Sequence, residues 1–177
     1  MKGLGELKYF LGIEFARSGH GILMHQRKYA LELISELGLS AAKPSKTPID
    51  NSIKITTIEY DLHNPGKSVI EDTLLSDLRS YQRLVGNLLY LTVTRPDIAF
   101  SVQNLSQYIQ QPKTSHTEAA AQRIIRYIKN QPGLGVLLSS NPQEKVTTFC
   151  DVVWASCAHT RKSVTSFLIK IGDSLVS

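Results

Sequence analysis

Arg123, Arg126 and Lys129 recur every third residue beside an apolar stripe, with Tyr127 among them. On a helix, three cations at that spacing form a ridge that could follow the phosphates of a duplex. Such binding ignores base sequence and weakens steeply with salt. The same ridge also reads as a solvated helix face. Arg27-Lys28 and Arg161-Lys162 are shorter basic pairs of the same kind. Asp151 is the acid that stands out, following Thr147-Thr148-Phe149-Cys150 at the end of a strand-like run. Alone it reads equally as an exposed strand-end acid, because Mg²⁺ needs several oxygen ligands and one carboxylate cannot supply them. His20, His25, His63, His116 and His159 have no metal spacing and suit surface or cap positions. Cys150 and Cys157 lack a matched histidine or a redox motif and read as buried or inert thiols. No glycine-rich phosphate loop and no nucleophile elbow occurs.

The composition is that of ordinary globular protein. The 177 residues are 42% hydrophobic and 20% charged, enough to bury a core. A net charge of +5 favours polyanionic partners, weakly and through electrostatics. Two cysteines with six residues between them make neither a zinc site nor a disulfide framework, which points to a reducing compartment. No apolar run reaches membrane-spanning length, and the opening residues lack the hydrophobic core of a signal peptide. The expected location is therefore intracellular, cytoplasmic or nuclear, with no membrane partner and no secretion.

The elements that must position these residues centre on residues 81–100, YQRLVGNLLYLTVTRPDIAF. Tyr81, Leu84, Val85, Leu88 and Leu89 fall on one face of a helix. Thr94-Arg95-Pro96-Asp97 stops it and starts a second. Pro96 suits a first helical position and Asp97 suits the positive end of a helix dipole. Ile98, Val102, Leu105 and Ile109 continue the stripe. Before this pair, residues 8–17 alternate as a half-buried strand, Ser18-Gly19-His20-Gly21 forms a turn, and residues 22–25 return, making a hairpin. Residues 26–39 read as a helix with Ala30, Leu33, Ile34 and Leu37 inward and Gly38 as its left-handed cap. Residues 51–77 are polar and weakly patterned and read as a variable surface excursion. Ser115-His116-Thr117-Glu118 spells a capping box for a helix whose inner stripe is Ala121, Ile124, Ile125 and Ile128. From Gly135 the period changes to that of short strands, at 136–139, 146–151, 163–171 and 174–176, with a hairpin turn at Gly172-Asp173.

The central stretch resembles a segment downstream of the polymerase site in copia-type LTR-retrotransposon Pol polyproteins. The likeness recurs in order at LGELKYFLGIE, QRKYALELISELGL, AKPSKTPID, RIIRYIKNQPGLGVLL and CDVVWASC…TRKSVTSF, covering nearly the whole chain outside 51–77. It implies that residues 1–25 are the last hairpin of a reverse-transcriptase palm. Residues 26–132 would then be a helical thumb and connection, and residues 133–177 the start of an RNase H-like domain. The parent activity would be RNA-directed DNA synthesis with ribonuclease H cleavage, both served by Mg²⁺.

Asp151 resembles the first aspartate of the family's RNase H motif, which helps to hold two metals. Two metals about 4 Å apart can clamp the attacking and leaving oxygens of a phosphodiester. The second aspartate of that motif is Val153 here, and a glycine of the family is Ser166. The chain ends at Ser177, before the family's remaining acids, and the polymerase's tyrosine-x-aspartate-aspartate turn occurs nowhere in it. The expectation is an α+β chain with an N-terminal β-hairpin, a helical thumb and connection, and an incomplete RNase H-like β-meander. By itself it should be catalytically inactive and need no cofactor. An RNA–DNA hybrid or duplex gripped by Arg123, Arg126, Lys129, Arg27 and Lys28 is the expected partner. An unfinished sheet also leaves an open edge for self-association.

Overall fold

A computed structural model describes residues 5–50, 55–63, 72–141, 145–153 and 163–176. It is mixed α+β, and the chain divides into two compact units, Met1–Tyr29 with Gly133–Ser177, and Ala30–Pro132. No helix among the described residues is long and apolar enough to cross a membrane.

The first unit carries two antiparallel sheets. One has the order β1 (Tyr9–Phe10), β2 (Ile13–Ser18), β3 (Gly21–His25) and β4 (Gly135–Ser139). The other is a meander of β5 (Val146–Val153), β6 (Val164–Ile171) and β7 (Ser174–Leu175). The strand expected over 8–17 is broken: Leu11 and Gly12 take φ of 48° and 80° and turn β1 back onto β2, pairing Phe10 with Ile13. Positive φ at both central residues is what a two-residue turn needs to match the twist of its strands. The strand after Gly135 was expected in the terminal meander. It pairs instead with β3, from Gly21↔Ser139 to His25↔Gly135. Close backbone approach explains why glycines stand at both ends of that ladder: a Cβ on Gly21 would lie 2.0 Å from the Leu138 carbonyl oxygen. The turn at Gly172-Asp173 joins β6 to β7 as its composition implies.

The second unit is helical. α1 (Arg27–Glu36) enters it with Ala30, Leu33 and Ile34 buried. Gly38 has φ +68°; its N–H donates to the Ser35 carbonyl and that of Leu39 to the Ile34 carbonyl. That pair of bonds satisfies carbonyls left over at the helix end. α2 (Ile58–His63) is short. α3 (Leu78–Leu91) is capped by Asp77, whose carboxylate accepts the Ser80 N–H at 3.0 Å. Its core face is Tyr81, Leu84, Val85, Leu88 and Leu91. Leu89, placed on that stripe from the sequence, is 40% exposed, and Leu91 fills the position instead.

Pro96 opens a single 3₁₀ turn, Pro96–Ile98, that leads into α4 (Ala99–Ser106). Ile98, Val102 and Leu105 are fully buried. Ile109 lies beyond the end of α4 and is half-buried, while Tyr108 is buried. A π-helical turn, His116–Ala121, runs directly into α5 (Gln122–Ile128), whose Ile124, Ile125 and Ile128 complete the core.

Candidate functional site

Arg123 and Arg126 lie on α5 and Lys129 follows its last residue, and the side chains of Arg123 and Lys129 turn to the segment after α1. Arg123 donates to Thr47 Oγ1 at 3.0 Å, and its Nη1 lies 3.0 Å from an Asp50 carboxylate oxygen. Lys129 Nζ donates to the carbonyls of Leu39 (3.3 Å), Ala42 (2.7 Å) and Ser40. Arg126 is half-buried, and its carbonyl accepts the Ser45 N–H at 3.1 Å. These residues fix residues 39–50 along α5. Three donations from one ammonium to backbone carbonyls can satisfy a stretch that has no ladder or helix of its own. Arg27 and Lys28, by contrast, are exposed in the first turn of α1, where the Lys28 N–H donates to Glu14 Oε1 at 2.9 Å. Arg161 and Lys162 lie outside the described residues.

Asp151 is exposed on β5, directly opposite Ser166 on β6. Phe149 is its same-face neighbour along β5. Among the described residues no group of three His, Cys, Asp or Glu side chains could hold a metal ion. The described residues around Asp151 therefore do not fit the paired-metal site that the family resemblance suggests. Cys150, expected to be buried or inert, is exposed and free. Cys157, Trp154 and His159 lie outside the described residues.

The densest polar chemistry lies elsewhere, among residues that no motif or spacing brings together. Lys113 is 2% exposed, with Nζ 2.6 Å from Asp61 Oδ2, 2.7 Å from Asp72 Oδ2 and 3.1 Å from Thr56 Oγ1. Burial alone would lower the pKa of the Lys113 ammonium, but its hydrogen bonds to both carboxylates and their charges raise it above its ordinary value. Burial likewise opposes ionisation of Asp72, yet Lys113 and Ser115 hold its carboxyl below the usual range.

Ser115 does not cap a helix. Its backbone is already helical, and its N–H and Oγ–H both donate to Asp72, at 3.0 and 2.7 Å. An acid from a distant segment has replaced the expected local glutamate. His116, expected at the surface or in a cap, is completely buried. Its Nδ1 accepts the Lys113 N–H at 3.1 Å, and its Nε2 donates to the Thr56 carbonyl at 3.1 Å. That arrangement requires the neutral ring protonated on Nε2. Burial, with Lys113 close by, pushes its pKa down to about 4. Tyr108, whose ring lies 4.3 Å from that of His116, donates to the Ile55 carbonyl at 3.0 Å.

The expected surface excursion is thus tied down in its described parts. Residues 55–63 and 72–77 are stitched to the helices through Lys113, His116 and Tyr108. A lysine two positions before Ser115 and a histidine just after it carry no periodic signal. Their partners lie more than forty positions away, so local pattern could not have found them.

A second buried cation sits at the corner between α3 and α4. Arg95 is 3% exposed and grips Asp97 with Nε at 2.9 Å and Nη2 at 2.8 Å. It also donates to the Gln131 carbonyl at 3.1 Å, and its guanidinium carbon is 5.5 Å from the centre of the Tyr127 ring. Burial would raise the Asp97 carboxyl, but Arg95 and the Tyr127 hydroxyl hold it below the usual range. Asp97 thus serves chiefly as a partner for Arg95, a stronger role than the dipole contact read from the sequence. Tyr127, placed beside the basic ridge from the sequence, belongs to this corner.

Three curated proteins give the arrangement its context. An uncharacterized mitochondrial protein of Arabidopsis thaliana, AtMg00810, is 33% identical over 177 residues, covering all of this chain and 68% of that protein. The retrovirus-related Pol polyprotein from transposon RE2 of Arabidopsis thaliana is 33% identical over 172 residues, 97% of this chain but 11% of the polyprotein. The chain belongs to the copia-type retrotransposon Pol family. The putative transposon Ty5-1 protein YCL074W of Saccharomyces cerevisiae is 32% identical over 155 residues, 85% of this chain and 46% of that protein. The chain thus corresponds to about a tenth of the Pol polyprotein it matches. No family model and no solved structure matches it.

Proposed function

We propose that this region serves a copia-type Pol polyprotein as a non-catalytic part of its reverse transcriptase and ribonuclease H. In this reading residues 1–25 end the palm, residues 26–132 are the thumb and connection, and residues 133–177 lead into the RNase H-like part, whose own strands begin at β5. The observation that carries it is the identity to a Pol polyprotein across 97% of the chain, in a sequence that lacks both acid sets. Asp151 has Ser166 across the ladder and Val153 two positions on, so no second carboxylate stands beside it. Mg²⁺ would serve the parent's polymerase and nuclease steps, and among the described residues no group of His, Cys, Asp or Glu assembles to hold it.

The role left to this chain is to position nucleic acid. Its partner would be an RNA–DNA hybrid or duplex, held weakly by charge. Arg27 and Lys28 are exposed in the first turn of α1 and would be the contacts to phosphates. Arg123 and Lys129 act indirectly, by setting the path of residues 39–50. The place of action would be intracellular, cytoplasmic or nuclear. The test is a gel-shift of a labelled RNA–DNA hybrid with Mg²⁺ across a salt series, on a gel that also displays cleavage. The expected result is binding that falls steeply with salt and no cleavage. Cleavage of the hybrid would refute the non-catalytic reading, and binding unchanged by salt would refute a phosphate grip.

A further inference from the structure

We infer that Arg126, with Lys43 and Lys46 beside it, is a contact to the phosphate backbone of a hybrid or duplex; this rests on the nucleic-acid role proposed above. The three cations of the ridge are not alike. Arg123 is taken up by Asp50 and Thr47, and Lys129 by three backbone carbonyls. The Arg126 side chain has no hydrogen bond or ion pair among the described residues, and its buried Nε has no acceptor. Buried polar groups nearly always find a partner, so an exception calls for one. A guanidinium held partly out of water has already lost hydration on folding, and it attracts an anion more strongly than a fully solvated one. Its planar fork also suits phosphate oxygens.

The segment laid along α5 brings further positive charge to this point. The Ser45 N–H donates to the Arg126 carbonyl at 3.1 Å, and Asn130, one turn on, donates through Nδ2 to the Ser45 carbonyl. Leu39 to Ala42 lie at Lys129, and Thr47 and Asp50 lie at Arg123. The segment therefore runs antiparallel to the helix and passes Arg126 at Ser45. Pro44 and Pro48 fix φ on either side of this crossing and favour extended backbone at Lys43 and Thr47. Lys43 and Lys46 flank Ser45, are exposed, and have no ion pair among the described residues. Asp50, the one acid in residues 39–50, is neutralised by Arg123, and residues 122–128 contain no acid. A phosphate thus meets cations on a backbone already fixed to a helix, which lowers the cost of ordering them on binding.

The test is the affinity of the purified chain for a labelled RNA–DNA hybrid, read by fluorescence anisotropy from about 50 to 200 mM salt. Arg126→Gln should weaken binding about tenfold at low salt and reduce the slope of log Kd against log salt by about one. Lys43→Ser and Lys46→Ser should each reduce that slope by about one, and Arg126→Lys should keep it. Thermal unfolding of Arg126→Gln should be unchanged or raised, because the residue removed has no internal partner; a merely structural arginine would lower it. Slopes unchanged in Arg126→Gln and in both lysine variants would overturn the inference. So would an affinity loss in Arg126→Gln that comes with a lowered melting temperature while both lysine variants bind as wild type. If Arg126→Gln fails to fold, the two surface lysine variants decide. Inorganic phosphate at matched ionic strength should not displace the hybrid; displacement would assign the site to a free anion and overturn the backbone contact. A wild-type chain that does not bind the hybrid at low salt refutes the proposed function along with this inference. Binding that survives all three substitutions but is lost in R27S/K28S refutes this inference alone.

Discussion

Replacing Lys113 by Met should separate a structural network from an incidental one. Met keeps an unbranched chain of similar length and removes the ammonium. Asp61 and Asp72, each within 2.7 Å of the lost nitrogen, are then left facing one another. Breaking a buried ion pair by deleting one partner costs about 3–5 kcal/mol. The carboxylates are 18% and 10% exposed and can recover some hydration, so the lower end, about 3 kcal/mol, is expected at pH 7. The cost must depend on pH. Asp72 is held below its ordinary value of 3.8, so its contribution is complete above that value and is lost as pH falls through the folded value. Lys113 is raised above 10.5, so its contribution is complete below 10.5 and is lost as pH rises through the folded value. The penalty should be full from pH 6 to 9 and shrink below pH 4, where protonated carboxyls no longer need the cation. Urea unfolding of wild type and variant at pH 7 and pH 3, read as midpoint and slope, measures this. A loss under about 1 kcal/mol at pH 7, or an equal loss at both values, would refute the assignment.

Other outcomes follow from the same contacts. His116 titrates near 6.5 when unfolded and near 4 when folded, so stability should fall as pH drops from about 6.5 to 4, by up to about 3 kcal/mol, and level off below. His116→Gln should flatten that slope in urea titrations run at stepped pH. Arg95→Lys keeps the charge but loses the two-pronged grip on Asp97 and the donation to Gln131. It should cost about 2 kcal/mol in thermal unfolding, and Arg95→Ala more. Gly21→Ala would drive a methyl into the Leu138 carbonyl and should cost about 3 kcal/mol, with amide-exchange protection lost first across β3 and β4.

The exposed thiol on β5 shows how far local pattern reaches. Alternation in VTTFCDVV identifies a strand, but nothing in it says whether either face is covered. Cys150 and Phe149, on opposite faces of β5, are both exposed. The basic ridge shows the same limit from the other side. Spacing placed Arg123, Arg126 and Lys129 along one helix, and α5 holds the two arginines with Lys129 just past its end. Their role was set by residues 39–50, eighty or more positions away for Lys129.

The sequence by itself determined the family, the mixed α+β class, the central helix pair turned by Pro96, the Gly38 cap and the Gly172-Asp173 turn. Each of these rests on residues within one or two helical turns of each other, or on an ordered string of motifs. Tertiary structure alone decided the turn at Leu11-Gly12, the pairing of β4 with β3, and the burial of Lys113, His116 and Arg95. Polar residues carry no period that announces burial. They enter a core only when distant carboxylates and carbonyls meet their charge and hydrogen-bonding needs, and those partners exist only once the chain has folded.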